Sequence, residues 1–196
     1  MIKAILIDGD GATLKKTKYF SDVYAEEYHV SEEKLRPFFK DKFKACQKGK
    51  ADLKEELQPY LTSWGWKGTM DEFLYYWFHT QTIPNQPVLD VLRDVRTKGI
   101  KCYLVTDQEK YRANYISNEL RFKEFFDDCF YSCDLGFIKT QKEFFDILFS
   151  KVNLKPEEII YWTDDDIEMA REIGINASVY TTFENFKEEV SLLLRV

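Results

Sequence analysis

Short apolar runs alternate along most of the chain with segments of helical spacing. The first run, Met1–Ile7, is nearly continuous and is closed by Asp8-Gly9. A run of this kind indicates a strand that is buried on both faces of a parallel sheet, so we predict that it lies at the centre of the sheet. Further strands are predicted at Cys102–Val105, Cys129–Tyr131, Ile159–Trp162 and Ala177–Tyr180.

Helices are predicted between these strands from apolar residues spaced three or four apart. The stripe Val88–Val95 ends before Gly99, and the stripe Phe144–Leu148 ends before Pro156. Two more helices are predicted at Ile167–Ile173 and Phe186–Leu194. Because strands and helices alternate, the predicted fold class is α/β, with a Rossmann-like parallel sheet as its core.

Residues 15–86 interrupt the alternation, because they contain no convincing strand and have the pattern of several helices. One of these helices has a start signal, in which Thr69 can cap the helix and Glu72 can reach back to the capping residue. We therefore predict an inserted unit, called here the helical module. The predicted division is a core of residues 1–14 and 87–196 and a helical module of residues 15–86.

Charge and composition exclude several classes of function. With 28 basic and 34 acidic residues the net charge is -6, which argues against general electrostatic binding to nucleic acid or anionic lipid. The four cysteines form neither a CxxC pair nor a disulfide framework, and we find no charged leader and no long apolar segment. We expect a cytoplasmic protein without a nucleic-acid or membrane partner. The oligomeric state is not readable from the sequence.

Polar side chains follow the predicted strands at the points where the strands end. They are Asp8 and Asp10 after the first, Thr106 and Asp107 after the second, Lys139 beyond the third, and Thr163, Asp164, Asp165 and Asp166 after the fourth. Because the carboxyl ends of parallel strands meet at one edge, we expect these groups to surround one crevice. Carboxylates from two strands suit a hard divalent cation, while a lysine and a hydroxyl suit phosphate oxygens. We predict Mg2+ together with a phosphorylated ligand.

The pair Asp8-x-Asp10 permits two different chemical roles. In an extended segment both side chains point to the same side, next to a glycine that lets a substrate approach closely. One carboxylate can attack phosphorus, while the other donates a proton to the leaving oxygen and later takes one from water.

Four segments in this order resemble the motifs of the haloacid dehalogenase-like superfamily of hydrolases, in the branch with a helical cap inserted after the first motif. The segments are Asp8-Gly9-Asp10-Gly11-Ala12, Tyr103-Leu104-Val105-Thr106, Gly136-Phe137-Ile138-Lys139 and Ile159–Asp165. The resemblance extends over about the whole chain. It implies an enzyme whose helical module is a cap over the site.

Carried over by residue, the resemblance implies a nucleophile at Asp8 and a general acid and base at Asp10. Thr106 and Lys139 are the implied phosphate and charge-stabilising groups, with Asp107 beside them as a further substrate-binding candidate. The implied metal ligands are Asp8, the main-chain carbonyl of Asp10, and Asp164, with Asp165 as a second candidate. Because dehalogenases of the superfamily lack an acidic residue at the position of Asp10, a phosphatase of a small phosphorylated metabolite is favoured.

Two departures from the family pattern motivate an alternative function. Asp107 stands where a neutral residue is usual, and the loop from Asp164 to the helix at Ile167 is short. The alternative is a catalytically weak or inactive relative that serves as a binding or regulatory protein. A mutase or transferase also remains open, since an aspartyl-phosphate can pass to an acceptor other than water. A phosphoacceptor receiver domain fits poorly, because it has no large insertion after its first strand.

Individual residues also have structural alternatives. Thr106 can instead cap a helix that begins near Glu109, and Lys139 can be a surface lysine. One member of Asp164–Asp166 is expected to cap the following helix. A calcium loop at Asp8 is disfavoured, because position 19 is Tyr where that loop needs Glu. The basic segment Lys15–Lys18 is either a solvated loop or a cationic lip over the site.

Overall fold

Five parallel strands form the sheet, and each strand overlaps the apolar run that predicted it. The computed structural model describes residues 1–165 and 167–193. The strands are β1 (Ala4–Asp8), β2 (Lys101–Thr106), β3 (Asp128–Tyr131), β4 (Ile159–Thr163) and β5 (Asn176–Val179). Their order in the sheet is β3-β2-β1-β4-β5. The predicted α/β class and the central position of the first strand are therefore confirmed.

The helices fall into two groups along the chain. Those before β2 are α1 (Phe20–Tyr28), α2 (Glu32–Pro37), α3 (Phe43–Gln47), α4 (Leu53–Leu61), α5 (Met70–Gln81) and α6 (Gln86–Thr97). Those after β2 are α7 (Lys110–Asn114), α8 (Ser132–Leu135), α9 (Lys142–Val152), α10 (Glu168–Glu172) and α11 (Phe183–Leu193). Short π-helical turns cover Phe38–Lys42 and Tyr115–Glu119, and 3-10 turns cover Phe122–Glu124 and Pro156–Glu158. The predicted last residue of the terminal helix, Leu194, lies outside the described residues.

Both faces of the sheet are buried, as the continuous apolar runs predicted. Ile5 and Ile7 of β1 belong to one core cluster, which also contains apolar residues of α6 and α11. Ala4 and Leu6 point to the opposite face and belong to a second cluster with residues of α9 and α10. Side chains of a strand alternate between the two faces, so Asp8 shares the face of Leu6 at the end of the strand.

The helices α1–α5 have an apolar core of their own. It is rich in aromatic side chains, with Trp64 fully buried at its centre. The predicted start of α5 is confirmed, because Thr69 and Glu72 form a reciprocal capping box. None of the described helices is long and apolar enough to cross a bilayer.

The two connections between the core and the helical module run side by side. Leu14 forms an isolated bridge with Pro84, and the amide of Lys15 donates to the carbonyl of Ile83 at 2.8 Å. Both connections therefore lie next to the loop that follows β1. This arrangement positions the helical module beside the carboxyl edge of the sheet.

Candidate active site

Three neighbouring strands bring polar residues to one edge of the sheet. Asp8 is the last residue of β1 and pairs with Val105, so Thr106 lies one residue further along the same edge. On the other side Ile7 pairs with Trp162 of β4, so Thr163 lies beside Asp8. All three polar residues are buried. The parallel register thus places one hydroxyl on each side of the Asp8 carboxylate.

Two glycines let the loop after β1 pack closely against these strand ends. A Cβ atom on Gly9 would lie 2.6 Å from the Thr106 hydroxyl oxygen, and one on Gly11 would lie 2.0 Å from Cγ of Asp164. Gly11 also has a φ of +78°, in the left-handed region that side chains disfavour. The side chain of Asp164 thus rests directly on the loop that carries Asp10.

The carboxylate of Asp8 is held by two donors from different strands. Nζ of Lys139 and Oγ1 of Thr163 both donate to its Oδ2 atom. Burial raises the pKa of Asp8 to about 6, and Lys139 and Thr163 oppose that rise. Asp8 is therefore ionised at neutral pH, which is the form that a nucleophile requires.

Asp10 is half exposed and is held by Arg112 of α7. The two terminal guanidinium nitrogens donate to its two oxygens at 2.7 and 2.6 Å, and Gln108 adds a donor at 2.8 Å. Although burial raises the pKa of Asp10, Arg112 and Gln108 outweigh it and lower that pKa below its usual value. The two aspartates thus have pKa shifts of opposite sign.

Lys139 reaches the site through a loop that Asp107 holds. The main-chain amide of Lys139 donates to Oδ1 of Asp107 at 3.0 Å. Burial raises the pKa of Asp107, and Lys139 opposes that rise. Lys139 is 8% exposed and forms an ion pair with Asp8, so the alternative of a surface lysine is wrong. The extra carboxylate at position 107 is thus occupied by the loop that carries the lysine.

Thr106 does not cap the helix that follows it. Its hydroxyl oxygen accepts from Gln108 at 3.0 Å. The capping residue of α7 is Glu109, whose side chain accepts from the amides of Tyr111 and Arg112 at 2.8 and 2.6 Å. The structural alternative for Thr106 is therefore wrong, and its hydroxyl remains at the sheet edge beside Asp8.

The acidic segment after β4 is only partly described. Asp164 accepts from Nζ of Lys16 at 2.9 Å, and the exposed Asp165 donates its amide to Oγ1 of Thr163 at 3.1 Å. Asp166 lies outside the described residues, so the expected helix cap within Asp164–Asp166 stays a prediction. Lys16, from the basic segment Lys15–Lys18, thus lies over the site edge.

The described residues fit a magnesium site whose coordination shell a phosphate ligand would complete. No three His, Cys, Asp or Glu side chains among residues 1–165 and 167–193 form a full metal cage. Mg2+ does not need one, because it commonly uses one or two carboxylates together with water and substrate phosphates. Asp164, packed on Gly11, already binds a cation, the ammonium group of Lys16. The donor set therefore suits a hard cation.

The structure reveals two polar groups that the sequence did not point to, Gln108 and Arg112. It also gives a contact to Thr163, which the sequence named among the strand-end residues without a role. Arg112 is buried and donates through all three guanidinium nitrogens. Besides Asp10, its acceptors are the side chain of Gln108 and, at the end of the helical module, the hydroxyl of Thr82 and the carbonyl of Gln81. The available signal was an arginine one turn beyond Gln108 on a helix that starts at the acidic edge. Thr163 was readable only as the last residue of its strand.

The comparisons with known proteins agree with this architecture. The family model described as haloacid dehalogenase-like hydrolase matches residues 2–174. No curated protein matches the sequence significantly. A HAD family enzyme from Bacteroides thetaiotaomicron has a similar structure, with a TM-score of 0.83 at 18% identity over 96% of this chain and 98% of that one. The same enzyme has also been crystallised with magnesium and inorganic phosphate.

Two further solved structures show the chemical range of similar folds. A predicted HAD-like family hydrolase from Porphyromonas gingivalis has a TM-score of 0.81 at 18% identity, over 100% of this chain and 99% of that one. An L-2-haloacid dehalogenase from Xanthobacter autotrophicus has a TM-score of 0.65 at 14% identity, over 97% of this chain and 83% of that one. At such identities the likeness shows the fold alone.

Proposed function

The chain belongs to the haloacid dehalogenase-like hydrolases, and on that premise we propose that it is a magnesium-dependent phosphatase of a small phosphate monoester. The observation that carries the proposal is the acidic pair at the end of β1. Asp8 is buried against Lys139, and Asp10 follows two residues later in the same loop. A leaving alkoxide needs a proton and a leaving halide does not, so a second carboxylate favours phosphate esters over carbon-halogen bonds.

The proposed reaction has two steps with Asp8 as the nucleophile. Asp8 attacks phosphorus, the bond to the leaving oxygen breaks, and Asp10 donates a proton to that oxygen. Asp10 then takes a proton from water, the water oxygen binds phosphorus, and the bond between phosphorus and Asp8 breaks. Inorganic phosphate and the free carboxylate of Asp8 are the products.

Other groups of the site bind the phosphate and the ion in this proposal. Thr106 and Lys139 face the phosphate oxygens, while Oδ1 of Asp107 holds the loop of Lys139 and Asp107 stays a further substrate-binding candidate. Mg2+ would be held by Asp8, the main-chain carbonyl of Asp10, and Asp164, with Asp165 as a further candidate. When bound, it supplies positive charge that offsets the carboxylates and the incoming phosphate. The magnesium and phosphate complex of the Bacteroides enzyme supports this choice.

We assign the role of a cap to the helical module, residues 15–86, which closes over the site and selects the substrate. Its two connections flank the loop of Asp8 and Asp10, and Gln81 and Thr82 at its end contact Arg112. With both oxygens of Asp10 bound to Arg112, the carboxylate is in the form that takes a proton from water. Donation of a proton requires Asp10 to separate from Arg112.

The substitution Asp8→Asn tests the proposal. It removes the nucleophile with little change of volume, so we expect phosphate release from 4-nitrophenyl phosphate and Mg2+ to be abolished. Asp94→Asn is the control, because it removes the same charge from an exposed position on α6. Retained turnover in Asp8→Asn overturns the assignment. Detection of inorganic phosphate separates hydrolysis from transfer to a second acceptor.

A second candidate is the catalytically weak or inactive relative. The observation that favours it is that positively charged side chains already bind two carboxylates of the site, Arg112 at Asp10 and Lys16 at Asp164. Calorimetry with Mg2+ and a panel of phosphorylated metabolites separate the two candidates. Absence of binding at millimolar Mg2+ together with absence of turnover supports this second candidate.

We propose a cytoplasmic location for the enzyme. All four cysteines are free thiols, and Cys46 and Cys102 are buried. Free thiols are typical of a reducing compartment. The proposal is consistent with a small metabolite as the substrate.

A further inference from the structure

The two oxygens of the Asp8 carboxylate are not equivalent. Lys139 and Thr163 both donate to Oδ2, and within residues 1–165 and 167–193 no donor reaches Oδ1. An oxygen that already accepts two hydrogen bonds is a weaker nucleophile than one that accepts none. Oδ1 is therefore the oxygen that is free to attack phosphorus.

The direction of the hydrogen bond from Thr163 is set by its neighbours. The hydroxyl oxygen of Thr163 accepts from the main-chain amide of Asp165 at 3.1 Å. An ionised carboxylate only accepts, so the single hydroxyl proton of Thr163 is directed to Asp8. The backbone of Thr163 is held as well, because its carbonyl accepts from the amide of Tyr180 at 2.7 Å. The donor is thus buried and fixed on β4, next to the nucleophile.

We propose that Thr163 is a positioning residue that directs Oδ1 of Asp8 to phosphorus and stabilises the Asp8 carboxylate when it leaves phosphorus in the second step. The inference rests on the proposed phosphatase function. During that step the water oxygen binds phosphorus, its proton passes to Asp10, and the electron pair of the breaking bond returns to Asp8. The negative charge spreads onto Oδ2, where Thr163 and Lys139 donate.

The two steps therefore respond differently to loss of the Thr163 hydroxyl. In the first step the carboxylate loses charge, so a donor on Oδ2 gives no added stabilisation as the reaction proceeds. Without the Thr163 hydroxyl, Lys139 still donates to Oδ2 and keeps the carboxylate oriented. In the second step the carboxylate regains charge, so the donor stabilises the transition state more than the aspartyl-phosphate. Loss of the hydroxyl slows removal of phosphate from Asp8 more than its attachment.

The test compares Thr163→Val with Thr163→Ser in steady-state and rapid-quench kinetics with 4-nitrophenyl phosphate and Mg2+. Valine keeps the volume and removes the donor, while serine keeps the donor. For Thr163→Val we expect kcat to fall about tenfold, as for one charge-assisted hydrogen bond, with kcat/KM changed less than about twofold. A burst of about one equivalent of nitrophenolate and an aspartyl-phosphate on Asp8 in mass spectrometry are expected as well. Thr163→Ser is expected to restore kcat.

Thr97→Val is the matched control. Thr97 is the last residue of α6, is exposed, and its hydroxyl donates to the main-chain carbonyl of Asp94 at 2.6 Å, away from the site. Removing that hydroxyl is expected to leave kcat and the burst unchanged. Thermal unfolding of each variant shows whether it is folded.

The outcomes separate this inference from the proposed function. Equal losses in kcat and kcat/KM for Thr163→Val, or no loss in either, overturn the inference while the phosphatase function stands. A Thr163→Ser variant as slow as Thr163→Val overturns it too. If the unchanged protein releases no phosphate from any substrate of the panel, the proposed function fails and the inference fails with it.

Discussion

Individual carboxylates of this protein differ because of what surrounds each one. Asp8 and Asp10 lie two residues apart, yet burial raises the pKa of Asp8 to about 6 while Arg112 lowers that of Asp10. The difference follows from which strand or helix supplies the partner. Asp8 meets a lysine and a threonine in the interior, and Asp10 meets a bidentate arginine at the site edge.

Glu109 is a buried carboxylate outside the acidic pair, and it predicts a pH dependence of stability. It is 1% exposed, and burial raises its pKa from 4.5 to about 7, against two hydrogen bonds from main-chain amides. Because the folded-state pKa is the higher one, Glu109 stabilises the fold fully below pH 4.5, and this contribution is lost as the pH rises through 7. At about 1.4 kcal/mol per pH unit the loss is about 3 kcal/mol.

We therefore expect Glu109→Gln to gain stability relative to the unchanged protein as the pH rises. The free energy of unfolding, measured by urea denaturation at pH 5 and pH 8, is the readout. The difference between the two proteins is expected to shift by up to about 3 kcal/mol in favour of Glu109→Gln at pH 8. Glu143→Gln, at an exposed position of α9, is the control. A difference that does not change with pH contradicts the prediction.

At the scale of elements, the loop after β1 packs against the acidic segment that follows β4. Thr13 closes the loop by donating its hydroxyl to the carbonyl of Asp8 at 2.8 Å. Gly11 gives Asp164 the space to lie against the loop. The close contact of these two loops determines the position of the predicted metal ligand.

Gly11→Ala is expected to weaken magnesium binding, and Gly65→Ala is its matched control. The two glycines have similar φ values, +78° and +80°, but a Cβ at Gly65 meets nothing within 4 Å. Both substitutions carry a left-handed strain of about 1–2 kcal/mol. Only Gly11→Ala displaces Asp164, so we expect it alone to lower Mg2+ affinity in calorimetry, by about tenfold or more. Equal affinity in the two variants would falsify this role of the loop.

At the scale of the whole molecule, the helical module contacts the core at a second place, away from its connections. The carbonyl of Gln47 accepts from Ser132 at 2.6 Å, and its side-chain amide donates to the carbonyl of Asp107 at 3.2 Å. Asp52 accepts from the hydroxyl of Tyr111 at 2.9 Å and forms an ion pair with Lys110. The module is thus held at both ends of the site.

Tyr111→Phe is expected to loosen this second contact without unfolding the protein. It removes one hydrogen bond of about 1 kcal/mol and keeps the ring, so amide hydrogen exchange at residues 47–52 should accelerate about fivefold. Tyr115→Phe is the control, because it also removes a tyrosine hydroxyl and keeps the ring that contacts Phe78 and His79. If both variants exchange alike, the contact does not hold the module.

Local signals in the sequence were sufficient to predict the strands and helices of the core and some of the residues of the site. The apolar run before Asp8 predicted a central buried strand, because only a strand covered on both faces lacks polar positions. The capping box of Thr69 and Glu72 was readable because its two partners lie within one helical turn. The strand-end rule predicted that Asp8, Thr106 and Lys139 share an edge, since parallel strands align their carboxyl ends.

The partners of those residues were decided by the tertiary structure alone. Arg112 meets Asp10 across 102 positions, and Thr163 meets Asp8 across 155. Such contacts depend on strand register and on the angle at which a helix leaves its strand, neither of which leaves a local pattern. The role of Asp107 was hidden for the same reason. Its place in the sequence indicated only an extra negative charge near the phosphate, whereas in the fold its carboxylate accepts from the main-chain amide of Lys139.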